Sequence, residues 1–192
     1  MRPLAVALIH YPVLARDQSR VTTSITNLDI HDVARSAFTY GALRYYLVHP
    51  LQAQQHLAKR VIEHWTAGSG ALRIPDRKPP MEMVRVVSTC EQASQDLGEC
   101  CAGQQPELWV TSAKPLVGAV AHAEARERLE GAGPPVLLVL GTGWGLAPEL
   151  LGPPAVPLAP LVSPRQDGYN HLSVRAAAAI LLDRLLAPRQ SM

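Results

Sequence analysis

The chain has 192 residues, 47% hydrophobic and 18% charged, enough for one well-buried core and too short for two large domains. Its formal charge of +2 excludes the chain-wide basic footprint of strongly basic nucleic-acid binders, so any RNA contact must come from local clustering or from a dimer. Cys90, Cys100 and Cys101 form neither an even disulfide framework nor a CxxC pair, no stretch reaches the roughly 20 apolar residues of a membrane span, and the N-terminus lacks a cleavable signal pattern. A soluble cytoplasmic protein with no membrane partner is expected.

The apolar run at residues 4–9, bounded by Pro3 and by His10-Tyr11-Pro12, predicts a buried strand, and a polar loop rich in Thr and Ser follows over 14–26. From residue 27 the period becomes helical. Ile30, Val33, Ala34 and Ala37 share a face, Asn27 is placed to cap, Asp29 favours the positive helix end and Gly41 is placed to stop it. A second strand is predicted over 43–48, a helix over 51–67 ending at Gly68-Ser69-Gly70, a third strand over 83–87 and a short helix over 90–101. Strands at 108–110, 136–140 and 156–161 alternate with a helix over 120–129 and a closing helix over 172–186, whose inner stripe is Val174, Ala177, Ala178, Leu181, Leu182 and Leu185.

Six nearly continuous apolar strands alternating with helices predict an α/β fold, a parallel sheet covered on both faces. Such sheets bind ligands at the carboxyl ends of their strands, here the loops 111–115, 141–148 and 161–172. The middle loop is the most informative: an apolar strand ends in Gly141, Gly143 and Gly145 beside Trp144, a main-chain approach for a ligand. It follows the fifth strand, whereas a dinucleotide fingerprint follows the first, and no Gly-Lys-Ser/Thr makes it a P-loop. The proline-rich stretch 153–164 reads as an extended segment threading around the site.

Residues 27–41, NLDIHDVARSAFTYG, followed by a strand, resemble the first motif of the SpoU and TrmD (SPOUT) RNA methyltransferases. Residues 137–146, LLVLGTGWGL, resemble their second motif, and Pro160-Leu161 with Tyr169 through Ala179 the third, in the same order. The combination is similar to a small bacterial branch of predicted S-adenosylmethionine-dependent RNA methyltransferases close to the TrmD catalytic domain.

This resemblance implies a single domain over 1–192, a six-stranded parallel sheet with a C-terminal deep trefoil knot over about 108–187, S-adenosylmethionine as cofactor, a tRNA or rRNA substrate and a homodimer. Carried over by position, Thr111, Ser112 and Ala113 line the adenosine side; Leu140, Gly141, Thr142, Gly143, Trp144, Gly145 and Leu146 form the middle; Pro160, Leu161, Tyr169, Asn170, His171 and Leu172 form the third wall. Main-chain groups and an apolar slot suit adenine better than charges.

Methyl transfer to a guanine N1 or a ribose hydroxyl requires positioning and the removal of one proton. Arg35 matches the SpoU-type arginine that orients a phosphate, with a surface ion pair to Asp32 or a glutamate as the bland alternative; Asp167 matches the acid of TrmD-like enzymes, with a turn before Gly168 as its alternative; His171 is base, substrate contact or cap. The loop lacks the Asn-Glu of SpoU relatives, its first acid being Glu149, which leaves a donor-binding module without catalysis as the second reading. His56, Arg60 and His64 share a helix face, but the arginine repels a cation, so a basic RNA-facing or solvated stripe is expected and no metal. Tyr45, Tyr46 and Trp65 read as core or interface, and the cysteines as inert.

Overall fold

A computed structural model describes residues 1–188. In chain order the elements are β1 (Leu4–Ile9), β2 (Val13–Leu14), β3 (Arg20–Val21), α1 (Asn27–Thr39), β4 (Tyr45–Val48) and α2 (Gln52–Thr66). Two five-residue helices follow, α3 (Ser69–Arg73) and α4 (Lys78–Glu82), then β5 (Val84–Val87), α5 (Cys90–Cys100) and β6 (Glu107–Val110). The chain continues through α6 (His122–Glu130), β7 (Val136–Gly141), β8 (Val156–Pro157) and α7 (Val174–Leu186).

The large sheet has six strands in the order β5-β4-β1-β7-β6-β8, and every pair is parallel. Alternate side chains feed two cores. Leu4, Val6, Leu8, Tyr45, Leu47, Trp109, Val136 and Leu138 pack beneath α1, α2, α6 and α7, while Ala5, Ala7, Ile9, Tyr46, Val48, Leu137 and Val139 meet Cys90, Ala93 and Leu97 of α5. Burial on both faces is why the strands read as unbroken apolar runs. No helix among the described residues is long and apolar enough to cross a membrane.

The structure departs from the expected elements in four places. Thr26, not Asn27, caps α1: its hydroxyl accepts from the Asp29 amide while the Asp29 carboxylate accepts from the Thr26 amide, a capping box. The polar loop 14–26 contains a small antiparallel ribbon, Val13 opposite Val21 and Leu14 opposite Arg20. Residues 69–82 fold as α3 and α4, with Gly70, Pro80 and Met81 buried. The sixth strand is two residues long, because after Pro157 the chain bonds sideways, Ala159 N–H to Val120 C=O at 2.8 Å.

Candidate functional site

Adjacent parallel strands deliver their following loops to one edge. Ile9 of β1 lies beside Gly141 of β7, Val110 of β6 beside Val139, and Pro157 of β8 beside Val110, so the loops opening at 10, 142, 111 and 158 emerge side by side. Segment 161–173 leaves next to β6 and arrives at the start of α7, where Arg175 donates to Asp29 Oδ1 at 3.0 Å.

One flank of the glycine loop is already committed. The Leu14 amide donates to the Gly145 carbonyl at 2.9 Å, the Trp144 amide to the Leu14 carbonyl at 2.9 Å and the Ala147 amide to the Pro12 carbonyl at 3.2 Å, so the ribbon backs the loop as an added strand. Gly143 must be glycine: its φ is +59°, and a Cβ would lie 2.8 Å from the Leu14 carbonyl oxygen. The amides of Gly143 and Leu146 make no backbone hydrogen bond among the described residues. Leu140 and Leu146 are buried, the first in the core beneath α1 and α7 and the second in the core that faces α5. The glycine loop is therefore paired along its ribbon flank and keeps two main-chain N–H groups without a backbone partner, at Gly143 and Leu146.

A polar chain fixes this loop from below. Thr142 Oγ1 donates to the Ile9 carbonyl at 3.0 Å, so its oxygen accepts from Thr23 Oγ1 at 2.5 Å, and Thr23 in turn accepts from His10 Nδ1 at 3.0 Å. His10 is fully buried, its Nε2 has no partner, and its ring centroid lies 5.7 Å from that of His49. Burial lowers its pKa to about 4, against the opposing pull of Asp29, so His10 is neutral at physiological pH. His49 Nε2 lies 3.1 Å from the Thr23 carbonyl and burial lowers its pKa too.

Thr111 to Ala113 follow β6 and residues 160–172 follow β8, whereas Arg35 lies in the second half of α1. Thr111 donates to the Val139 carbonyl at 3.0 Å, Ser112 accepts from the Lys114 amide and Ala113 is exposed. Pro160 and Leu161 are half-buried, and Asn170 Nδ2 donates to the Leu161 carbonyl at 2.8 Å, drawing the ends of the third loop together. Tyr169, His171 and Leu172 are exposed, the first two with ring centroids 6.5 Å apart, and Trp144 is exposed at the loop tip. Asp167 pairs with Arg165 and accepts from the Tyr169 amide at 3.1 Å; the Arg165 bond holds its carboxyl below the usual range. Arg35 is exposed, and Asp32, its suggested partner, pairs with Arg175 at 3.5 Å instead. A groove of about 230 Å³ between α5 and the 149–155 loop, lined by Cys90, Ser94, Leu108 and Pro153 among others, contains none of these residues.

Sequence reasoning missed Thr23 and the Asp29–Arg175 pair. Asp29 was legible only as a helix-end charge, whereas it is 4% exposed and accepts from Thr26 and Arg175 together. Arg175 stood inside the third motif as a conspicuous charge without a visible partner.

The molecule is a parallel α/β domain with three loops gathered at the carboxyl ends of neighbouring strands, the edge where such sheets bind ligands. Residues 3–187 match the family described as SAM-dependent RNA methyltransferase, and the chain belongs to that family. It is 46% identical over 185 residues to a tRNA (guanine-N(1)-)-methyltransferase from Nitratidesulfovibrio vulgaris, covering 96% of this chain but only 42% of that relative's length. An uncharacterized protein from Aquifex aeolicus is 35% identical over 182 residues, covering 95% of this chain and 87% of its own. Among solved structures, TrmJ from Z. mobilis superposes with a TM-score of 0.61 at 14% identity, covering 97% of this chain and 69% of that one, a likeness of fold.

Proposed function

We propose that this chain transfers a methyl group from S-adenosylmethionine to tRNA, with guanine N1 as the acceptor. The observation that carries the reading is the glycine loop, with the Gly143 and Leu146 amides unpaired by backbone, at the carboxyl end of β7 in a chain that matches the methyltransferase family from residue 3 to 187. The similarity to a protein named for guanine N1 methylation supports the choice of acceptor. Leu140 through Leu146 would hold the adenosine with Thr111, Ser112 and Ala113 on one side, and Pro160, Leu161 and Tyr169 through Leu172 would close over it. When bound, the cofactor supplies an electrophilic methyl on a positively charged sulfur.

The chain's own part is positioning and proton removal. Asp167 is the sole carboxylate of segment 161–173, and in this reading it accepts the N1 proton as the new N–C bond forms. Arg165 and the Tyr169 amide hold it in place. Arg35 orients a phosphate beside the acceptor, and His171 contacts the substrate at the entrance to α7. In this reading the C-terminal part, about 108–187, forms a trefoil knot that brings segment 161–173 over the glycine loop. Val162, Tyr169, Leu172, Leu28 and Phe38 are exposed apolar side chains on or beside the α1–α7 pair, which supports a two-fold homodimer there. Three free cysteines suit a reducing cytoplasm.

The test pairs calorimetry with labelled-methyl transfer to an unmodified tRNA pool followed by nucleoside analysis. Donor binding and label in 1-methylguanosine are expected, with Asp167→Asn reducing the single-turnover rate about 100-fold or more at unchanged donor affinity. Label on a ribose would reassign the acceptor; donor binding without transfer would leave a binding module; no response to the donor would sink the reading.

A further inference from the structure

Between residues 56 and 78 stand Lys59, Arg60, Arg73, Arg77 and Lys78 against two carboxylates, Glu63 and Asp76, a local positive surplus larger than the net +2 of the whole chain. Trp65 organises part of it. The Arg77 guanidinium carbon sits 4.7 Å from the Trp65 ring centroid, and the rings of His31 and His64 each meet that indole edge-on at 5.2 Å. Gly70 makes the packing possible, since a Cβ there would lie 2.8 Å from both the His64 and Trp65 rings. Arg35 stands one helical turn beyond His31 on α1, while Arg60 and His56 continue the His64 face of α2 at four-residue steps. Burial holds His31 below its usual pKa, and Arg77, Arg35 and His64 push the same way against Asp32. Asp32 is itself engaged by Arg175, and among the described residues Arg35, Arg60 and Arg77 have no ion pair.

We propose that His64 and Arg77, assembled around Trp65 and flanked by Arg35 and Arg60, form a docking face for the phosphodiester backbone of the RNA substrate. The inference rests on the RNA methyltransferase reading and extends it to a surface outside the donor site. A guanidinium stacked on an indole is pre-oriented with its edge free, so it loses less freedom on forking two hydrogen bonds to a phosphate. The face joins three elements, α1, α2 and the turn before α4, and it includes Arg35, which points it toward the acceptor and not toward an unrelated anion. Phosphate contacts position a nucleic acid without reading its sequence, matching a platform that offers charge and planar rings but no cleft.

The test is fluorescence anisotropy with an unmodified tRNA transcript across a salt series, using the full chain. Arg77→Glu and Arg60→Glu are each expected to weaken binding about tenfold at low salt and to flatten the log–log salt slope by about one, because each removes one phosphate contact. Arg128→Glu, on α6 and paired with Glu124 in the native chain, is expected to change affinity by no more than about twofold. Calorimetry with S-adenosylmethionine should give native affinity for R77E and R60E, which separates a docking loss from a folding loss. Wild-type-like tRNA binding and slope in both variants, an equal loss in R128E, or no RNA binding by the native chain would each overturn the docking face. Failure of the native chain to bind the donor would instead count against the methyltransferase reading, which the RNA titration does not depend on.

Discussion

At the scale of single residues, the glycine loop is held by two side chains far from it in sequence, His10 and Thr23. Thr23 is the hinge of the chain from His10 to Thr142, because its hydroxyl both accepts from the imidazole and donates to the loop threonine. Replacing it with valine keeps the shape, leaves His10 Nδ1 without an acceptor and releases Thr142 from below. A lost neutral hydrogen bond of about 1–1.5 kcal/mol at this anchor corresponds to donor binding weakened about tenfold by calorimetry, with Thr23→Ser restoring it. Unaltered affinity in the valine variant would show that the ribbon alone holds the loop. Gly143 tests the other flank. Alanine there must adopt a φ of +59° and press on the Leu14 carbonyl, so Gly143→Ala should cost about 2 kcal/mol in urea unfolding and displace the ribbon from the loop. Native stability in that variant would show that the ribbon yields without penalty.

At the scale of elements, what was legible in the sequence follows from where the structural forces act. Strands buried on both faces announce themselves as apolar runs, and five of the six lie within two residues of their expected bounds; the helices with one buried stripe do likewise. The ribbon was hidden because its two-residue strands are held by Gly145 and Trp144, more than 120 positions away, and not by local pattern. The short helices at 69–82 were hidden for a related reason: Gly68, Gly70, Pro75, Pro79 and Pro80 are turn signals, and packing of Pro80 and Met81 overrides them. The glycine loop of the site was readable, whereas the Thr23–Thr142 bond, spanning 119 residues, leaves no trace in spacing. The same distance dependence governs α1 and α7. Arg175 ties the first turn of α7 to the buried Asp29 of α1, and segment 161–173 leads directly into that turn. Arg175→Ala leaves Asp29 with its capping bonds but no cation. Because the arginine is partly solvated, the cost should be about 2 kcal/mol, below that of breaking a fully buried pair. Donor affinity should fall together with the melting temperature; a lower melting temperature with native donor affinity would show that segment 161–173 is anchored elsewhere.

At the scale of the whole molecule, four histidines sit wholly or partly out of water, His10 and His49 at the ends of β1 and β4, His31 on α1 and His122 on α6. His10, His31, His49 and His122 all have lowered pKa values, with burial the first cause in each, and His10 falls to about 4. A depressed folded-state pKa means that the neutral form is favoured by folding. The associated stability is complete above the unfolded histidine value near 6.5 and is lost as pH falls through that value toward 4, where the unfolded chain binds a proton that the folded chain refuses. For His10 alone the interval corresponds to about 3 kcal/mol, a large share of an ordinary domain's stability. Protonating His10 removes no donor from Thr23 but places a buried charge, only partly offset by Asp29, at the end of the chain that holds Thr142. Urea unfolding at a series of pH values should therefore show stability dropping between pH 6.5 and 4, with donor affinity falling in parallel. His10→Asn, which retains a donor for Thr23 and cannot titrate, should be less stable than the native chain at pH 7.5 yet have the shallower slope through this window. An unchanged slope in that variant would transfer the acid sensitivity to the other three histidines and leave the donor loop independent of it.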